Sequence, residues 1–233
     1  MYFKAARLMA FLAASLVVAA SPSRAQGASG EISFNLFQIE GLTISDIFVF
    51  DDAFGEEYGI DVPVPFSVRV PWDSRILRIV DGKPSGGAFV KFTYGLEDVS
   101  TEERVLLENL QVTTVTIPLY ADHDDPALAR QRSAVVLARD HVFPRFARDH
   151  ESLEILTIEA LTIGEVAAVQ LIGQFVTPDL GPMLLRAVIL PHPEQEPSLI
   201  AVAMINLTLV PVHDRETLSK SLTGRILKSW EYR

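Results

Sequence analysis

The densest run of groups able to bind a ligand is Asp122-His123-Asp124-Asp125, three carboxylates beside an imidazole. Hard divalent cations take such oxygens, so these four residues are the candidate metal ligands. A calcium loop, however, spreads its ligands around a turning backbone that includes a glycine, and this run has no such spacing. Acidic groups ahead of a helix also cap it and meet its positive end, worth ~0.3–1 kcal/mol each. The sequence favours that use. A second acidic group, Asp51-Asp52 with Glu56-Glu57, falls in an expected loop, where solvated charge is the simpler reading. Asp51, Asp52 and Trp72, which follows Pro71 at the end of an expected strand, are the candidate binding residues. The histidines, His123, His141, His150, His192 and His213, show no i, i+4 pair and no His-Glu-x-x-His pattern,. They read as surface or capping residues.

Several chemistries are missing from the chain. There is no cysteine, which removes thiol catalysis, thiolate zinc sites and disulfides. Ser85-Gly86-Gly87 lacks the leading glycine of a nucleophile elbow, and Ser219 and Ser221 do not stand three residues ahead of a lysine,. No glycine-rich phosphate loop or dinucleotide fingerprint is present. Carboxylate pairs remain open, because the fold sets their separation. No catalytic residue is assigned, and no cofactor is predicted apart from a divalent cation at Asp122 to Asp125. Asn206-Leu207-Thr208 matches a glycosylation sequon but lies in an expected buried strand,.

The start of the chain reads as an export signal. Lys4 and Arg7 precede an apolar run from Leu8 to Ala20, and Ser23-Arg24-Ala25 supplies small residues for cleavage before Gln26,. That run of 13 residues is short for a membrane span, which needs about 20,. The expected product is residues 26–233, periplasmic or secreted and without stable membrane insertion. At that length a single core suffices without disulfide staples. The chain carries 20 basic and 30 acidic residues, a net charge of −10. Loss of Lys4, Arg7 and Arg24 with the leader makes the remainder still more acidic. Such a field, with no basic run, disfavours nucleic acid and anionic lipid.

Hydrophobic periodicity orders the rest. Alternation predicts strands from Glu31 to Leu36, over Leu42 to Phe50 and over Phe66 to Val70,. Asp81 to Gly87 reads as a turn, followed by a strand over Ala88 to Tyr94,. Ser100 with Glu103 resembles a capping box and predicts a short helix through Leu110, before a strand over Val112 to Tyr120,. Asp125 and Pro126 open a central helix whose predicted apolar stripe is Leu128, Val135, Val136, Val142, Phe143 and Phe146, with Pro144 expected to kink or end it near Val142,. Four strands are expected over Leu153 to Ile163, Val166 to Val176, Met183 to Leu190 and Ser198 to Leu209,. A last helix, capped by Asp214, stacks Leu218, Leu222, Ile226 and Trp230, with Gly224 expected to weaken it by about 1 kcal/mol relative to Ala,.

Three stretches resemble the PsbP/DcrB-like superfamily of small exported proteins: Pro65-Phe66-Ser67-Val68-Arg69-Val70-Pro71-Trp72, the hairpin Ile163-Gly164-Glu165-Val166-Ala167, and the terminal unit from Ser198 to Trp230. The resemblance implies an accessory or binding module; no site residues carry over. The expected fold is α+β: a single domain after the 1–25 leader, with an antiparallel β-sheet of six to eight strands flanked by helices in an α/β/α sandwich. The favoured function is an exported accessory protein binding an envelope protein or small ligand without catalysis. The alternatives are a cell-envelope hydrolase built on a carboxylate and a histidine, and a structural subunit whose strand near Ile32 pairs with a neighbour.

Overall fold

Alternating burial along the four strands of the C-terminal half sets the architecture. In the computed structural model, β8 (Gly181–Leu190) turns Leu184, Val188 and Leu190 to one face and Met183, Leu185, Ala187 and Ile189 to the other. The structure describes residues 45–72, 76–84, 87–97, 104–120, 122–150 and 152–233. The expected leader and the strand near Ile32 lie outside these. The described residues all belong to one compact unit, Ser33–Arg233.

Six further strands join β8 in a seven-stranded antiparallel sheet: β3 (Leu77–Gly82), β4 (Val90–Glu97), β5 (Arg104–Thr116), β6 (Glu154–Ile163), β7 (Val166–Thr177) and β9 (Pro197–Asn206), in the order β3-β4-β5-β9-β8-β7-β6. A separate three-stranded sheet pairs β1 (Ser45–Phe50) and β10 (Glu231–Tyr232) with β2 (Phe66–Pro71), again antiparallel. This small sheet was not expected from the sequence. With two C-terminal helices, α4 (Arg215–Lys220) and α5 (Leu222–Lys228), it covers one face of the large sheet, where Phe50, Phe66, Phe92, Leu110, Ile226 and Trp230 form a common core. Phe66 and Trp230 stack there at 4.3 Å. On the other face, α2 (Pro126–Leu137) continues through a π-helical turn (Ala138–Val142) into α3 (Phe143–Asp149). The fold is α+β, with both faces of the large sheet covered, as its two-sided apolar strands require.

Several expectations change. The Asp51–Gly59 stretch is not an open loop: Asp51 caps a short helix, α1 (Asp52–Tyr58), by accepting a hydrogen bond from the Phe54 amide at 3.1 Å. The strand β3 was not anticipated. The helix expected up to Leu110 is instead the start of β5, because pairing with both β4 and β9 overrides a local capping pattern,. The central helix is correctly capped by Asp125, which accepts from the Leu128 amide at 2.9 Å. Its inward face keeps part of the predicted stripe, since Val142 is buried and Val135, Phe143 and Phe146 pack against the same core, but it also includes residues outside that stripe. Leu128 and Val136 are 39% and 47% exposed, whereas Ala129, Arg130, Ala134, Ala138 and Val142 are buried. Small residues let the helix approach the sheet closely, and the π turn changes its phase. Pro144 sits in the first turn of α3, so the helix shifts register at that point and continues,.

The last helix is two helices that meet at Ser221, which ends α4 and caps α5. All four predicted core residues, Leu218, Leu222, Ile226 and Trp230, are buried. Gly224 is not a weakness here. A Cβ on it would stand 2.1 Å from the Leu218 carbonyl oxygen and 2.9 Å from Ser221 Oγ. Backbone cannot yield like a flexible side chain, so Gly224→Ala is expected to destabilise the fold by about 3 kcal/mol. Urea titration of the variant against wild type checks this; a stabilised variant would restore the simple propensity argument.

A buried acid holds the start of α5. Glu108, fully buried on β5, accepts the Leu222 amide at 2.9 Å, the Thr223 amide at 2.9 Å and the Thr223 hydroxyl at 2.7 Å. Burial raises its pKa, and the Thr223 and Leu222 donors pull it back,.

Candidate functional site

The start of β7, the exit of β8, the N-terminus of α2 and the C-terminal segment surround a groove of about 910 Å³. Its walls include Pro126, Ala127, Val166, Ala167, Pro191, Pro193, Trp230 and Tyr232. The polar residues facing it are Asp125, Arg130, Glu165, His192, Lys228, Ser229 and Glu231. The β6–β7 turn can come against the Trp230 carbonyl because Gly164 adopts φ +56°, with that oxygen only 3.0 Å from where a Cβ would stand,. Tyr232 is fixed by β10 pairing to β2, and its hydroxyl donates to the Leu190 carbonyl. Burial raises the Tyr232 pKa well above the usual phenol range.

Arg130 clips the groove together. Its Nη1 donates to the Ile117 and Pro118 carbonyls, both at 2.9 Å, and its Nη2 to the Gln195 carbonyl at 2.8 Å and Ser198 Oγ at 3.1 Å. One guanidinium thus ties α2 to the exit of β5 and to the β8–β9 loop. Desolvation lowers its pKa, but a guanidinium stays protonated,. Arg130 Nε and Trp230 Nε1 are two of the three buried side-chain polar atoms without a partner among the described residues. Both belong to wall residues of this groove.

His192 is the most informative side chain. It is buried, against the sequence expectation of a surface or capping histidine. Its Nδ1 accepts two backbone N–H groups, those of Glu194 and Gln195, each at 3.1 Å. A nitrogen that accepts carries no proton, so the neutral ring is the Nε2–H tautomer. Burial also lowers its pKa, which favours the neutral form,. The ring packs against Tyr232 at 4.6 Å, and Nε2 has no hydrogen-bond partner among the described residues. His192 therefore presents a donor, not a base. Sequence reasoning had no signal for it beyond the Pro191-His192-Pro193 turn.

The residues singled out by sequence lie elsewhere, with one exception. Asp125 is in the groove wall, but its carboxylate is occupied in capping α2. His123 Nδ1 accepts the Asp125 amide at 3.2 Å, and Asp122, His123, Asp124 and Asp125 are all exposed. Among the described residues, no group of three or more His, Asp or Glu side chains is placed to hold a metal ion. Trp72 is 39% exposed at the end of β2, while Asp51 and Asp52 start α1. Neither Trp72 nor these two acids line the groove. Asn206 of the sequon is buried, its amide donating to the Leu106 carbonyl at 3.1 Å. No helix among the described residues is long and apolar enough to cross a membrane.

No family model matches the chain, and no curated protein matches it. Solved structures do. The cyanobacterial PsbP (CyanoP) of Synechocystis sp. PCC 6803 is similar over 83% of this chain and 96% of its own, with 16% identity and a TM-score of 0.43. The chain resembles PsbP. LpqN of Mycobacterium tuberculosis, described as involved in cell envelope biogenesis, is similar over 81% of this chain and 91% of its own, with 11% identity and a TM-score of 0.43. The Ran-binding protein Mog1p of Saccharomyces cerevisiae is similar over 81% of this chain and 96% of its own, with 10% identity and a TM-score of 0.38. The α+β architecture itself stands on the strand ladders and helices described above.

Proposed function

We propose that this chain is an exported, periplasmic accessory protein that holds a small ligand in the groove beside His192 and performs no chemistry on it. The observation that carries this reading is the double acceptance at His192 Nδ1, which leaves Nε2–H as a hydrogen-bond donor. A hydrolase built on this histidine would need a free imidazole nitrogen to take a proton from water or a hydroxyl. Reversing the tautomer would set an Nδ1–H against two amide N–H donors and leave all three unsatisfied. A groove with apolar walls and a few fixed polar groups is the usual form of a small-molecule site. Export is supported by the basic start, the short apolar run and the small residues ahead of Gln26,.

The test uses the full chain, expressed with its own leader in a bacterial host and recovered from the periplasm. Its N-terminus should read from Gln26. Native mass spectrometry should show a bound mass that is lost in Ala167→Trp, where the indole fills the groove. A cytoplasmic product retaining Met1 would overturn export. Identical spectra for the two proteins would overturn the groove. Hydrolysis of p-nitrophenyl acetate or phosphate that disappears in His192→Ala would instead support the hydrolase.

A further inference from the structure

A second cleft, of about 500 Å³, lies between β6 and the α4–α5 pair, on the other side of Gly164 from the groove. One of its lining residues is Arg186, in the middle of β8 and only 7% exposed. Its Nε donates to Gln170 Oε1 at 2.9 Å, and its two Nη groups make no hydrogen bond to any described residue. They are also not among the fully enclosed polar atoms without partners. Leaving a buried guanidinium with its terminal donors unmade is costly, and a fold that keeps one has either water or a ligand there.

The surrounding groups hold that guanidinium in one orientation. Gln170 Nε2 donates to Glu159 Oε1 at 2.5 Å, and Arg215 donates to Glu159 Oε2. This chain sets the Gln170 amide with its oxygen toward Arg186 and its nitrogen toward Glu159, so the Nε edge of Arg186 is occupied and the Nη1–Nη2 edge is free. Burial pulls the Arg186 pKa down to about 10, which leaves it charged at neutral pH. Glu159 offsets Arg215 in an ion pair, while Lys228 adds a further positive group to the lining. Leu161 and Ile163 of β6 and Leu227 of α5 supply apolar wall.

We propose that this cleft binds a small organic carboxylate, held end-on by the two Nη groups of Arg186 with its apolar body against Leu161 and Leu227. A planar carboxylate matches two parallel N–H donors from one guanidinium. The Glu159 carboxylate in the same lining disfavours a dianion such as phosphate, so a monoanion suits the cleft better,. The site shares only Gly164 and Lys228 with the larger groove.

Benzoate is the probe, with benzamide as its neutral counterpart and inorganic phosphate as the competing anion, each titrated into the full-length processed protein by calorimetry. Benzoate should bind, and benzamide should bind at least tenfold more weakly. Arg186→Gln should weaken benzoate at least tenfold. Ser219→Trp, on the exposed rim of the cleft, should abolish binding with the thermal midpoint kept. If Arg186→Gln does not fold, Ser219→Trp decides. The proposal is overturned if benzoate does not bind, if benzamide binds equally, if phosphate binds more tightly, or if Ser219→Trp leaves the affinity unchanged. Ala167→Trp should not alter benzoate binding, so failure of the larger groove and failure of this cleft are told apart.

Discussion

Replacing Glu108 by Ala is expected to destabilise the protein by about 3 kcal/mol or more, because each buried donor left without an acceptor costs about 1–3 kcal/mol. Three donors at the start of α5, the Leu222 and Thr223 amides and the Thr223 hydroxyl, lose their acceptor in a place water does not reach. Every partner is a donor, so no neutral side chain of similar size replaces the carboxylate well; Glu108→Gln turns an N–H toward at least one of them. The wild type should also show a pH dependence at this site. Burial lifts the folded pKa above its unfolded value, so the folded state binds the extra proton. That contribution is fully present below the ordinary carboxylate pKa and is lost as pH rises through the raised one. Glu108→Gln should remove that slope. Denaturant titrations of wild type and both variants from acid to neutral pH check the prediction, and a loss under 1 kcal/mol for Glu108→Ala would contradict it.

Arg130→Ala is the second large effect, expected at about 3 kcal/mol or more, because hydrogen bonds from a charged donor are each worth about 1.5–3 kcal/mol. The guanidinium satisfies three backbone carbonyls and the Ser198 hydroxyl in two segments distant from its own helix. Arg130→Lys keeps the charge but not the planar fork, so it should recover only part of the loss. The damage should be local as well as global. Hydrogen exchange at the Glu194 and Gln195 amides, which bond to His192, should quicken in both variants before the strands of the large sheet respond,. Equal protection in wild type and Arg130→Ala would show that the clip does not hold the loop.

Strands and helices were legible to the degree that neighbours agree with the local pattern. The four strands from Glu154 to Asn206 follow their sequence runs within a few residues, because alternation and turn residues act together there,. The stretch beginning at Arg104 is the opposite case. Val105-Leu106-Leu107-Glu108-Asn109-Leu110 suits a helix locally, yet it forms a strand paired on both sides. The central helix shows a subtler failure. Its N-cap was visible, and Val135, Val142, Phe143 and Phe146 of the expected stripe do pack on the core, but Leu128 and Val136 face out while Ala129, Ala134 and Ala138 face in, with Arg130 among them. An arginine that bonds to carbonyls far away in the chain leaves no mark at helical spacing.

The candidate site was almost invisible for the same reason. Acidic runs drew attention because their members are adjacent in sequence, whereas the groove gathers Arg130, His192 and Tyr232 from three distant segments. His192 is set apart from the four other histidines by its burial and by the two amides of Glu194 and Gln195 at Nδ1, and neither is written in residue type. Arg186 and Gln170 sit at inward positions of apolar strands. That anomaly was readable from alternation, but its meaning required the partners.

The most direct measurement is a long-range proton–nitrogen correlation spectrum of the His192 ring in the full-length processed protein near neutral pH. Two amides donating to Nδ1 predict a neutral ring with its proton on Nε2,. A ring protonated at Nδ1, with Nε2 free to accept, would contradict the donor role and return the groove to the candidates for catalysis.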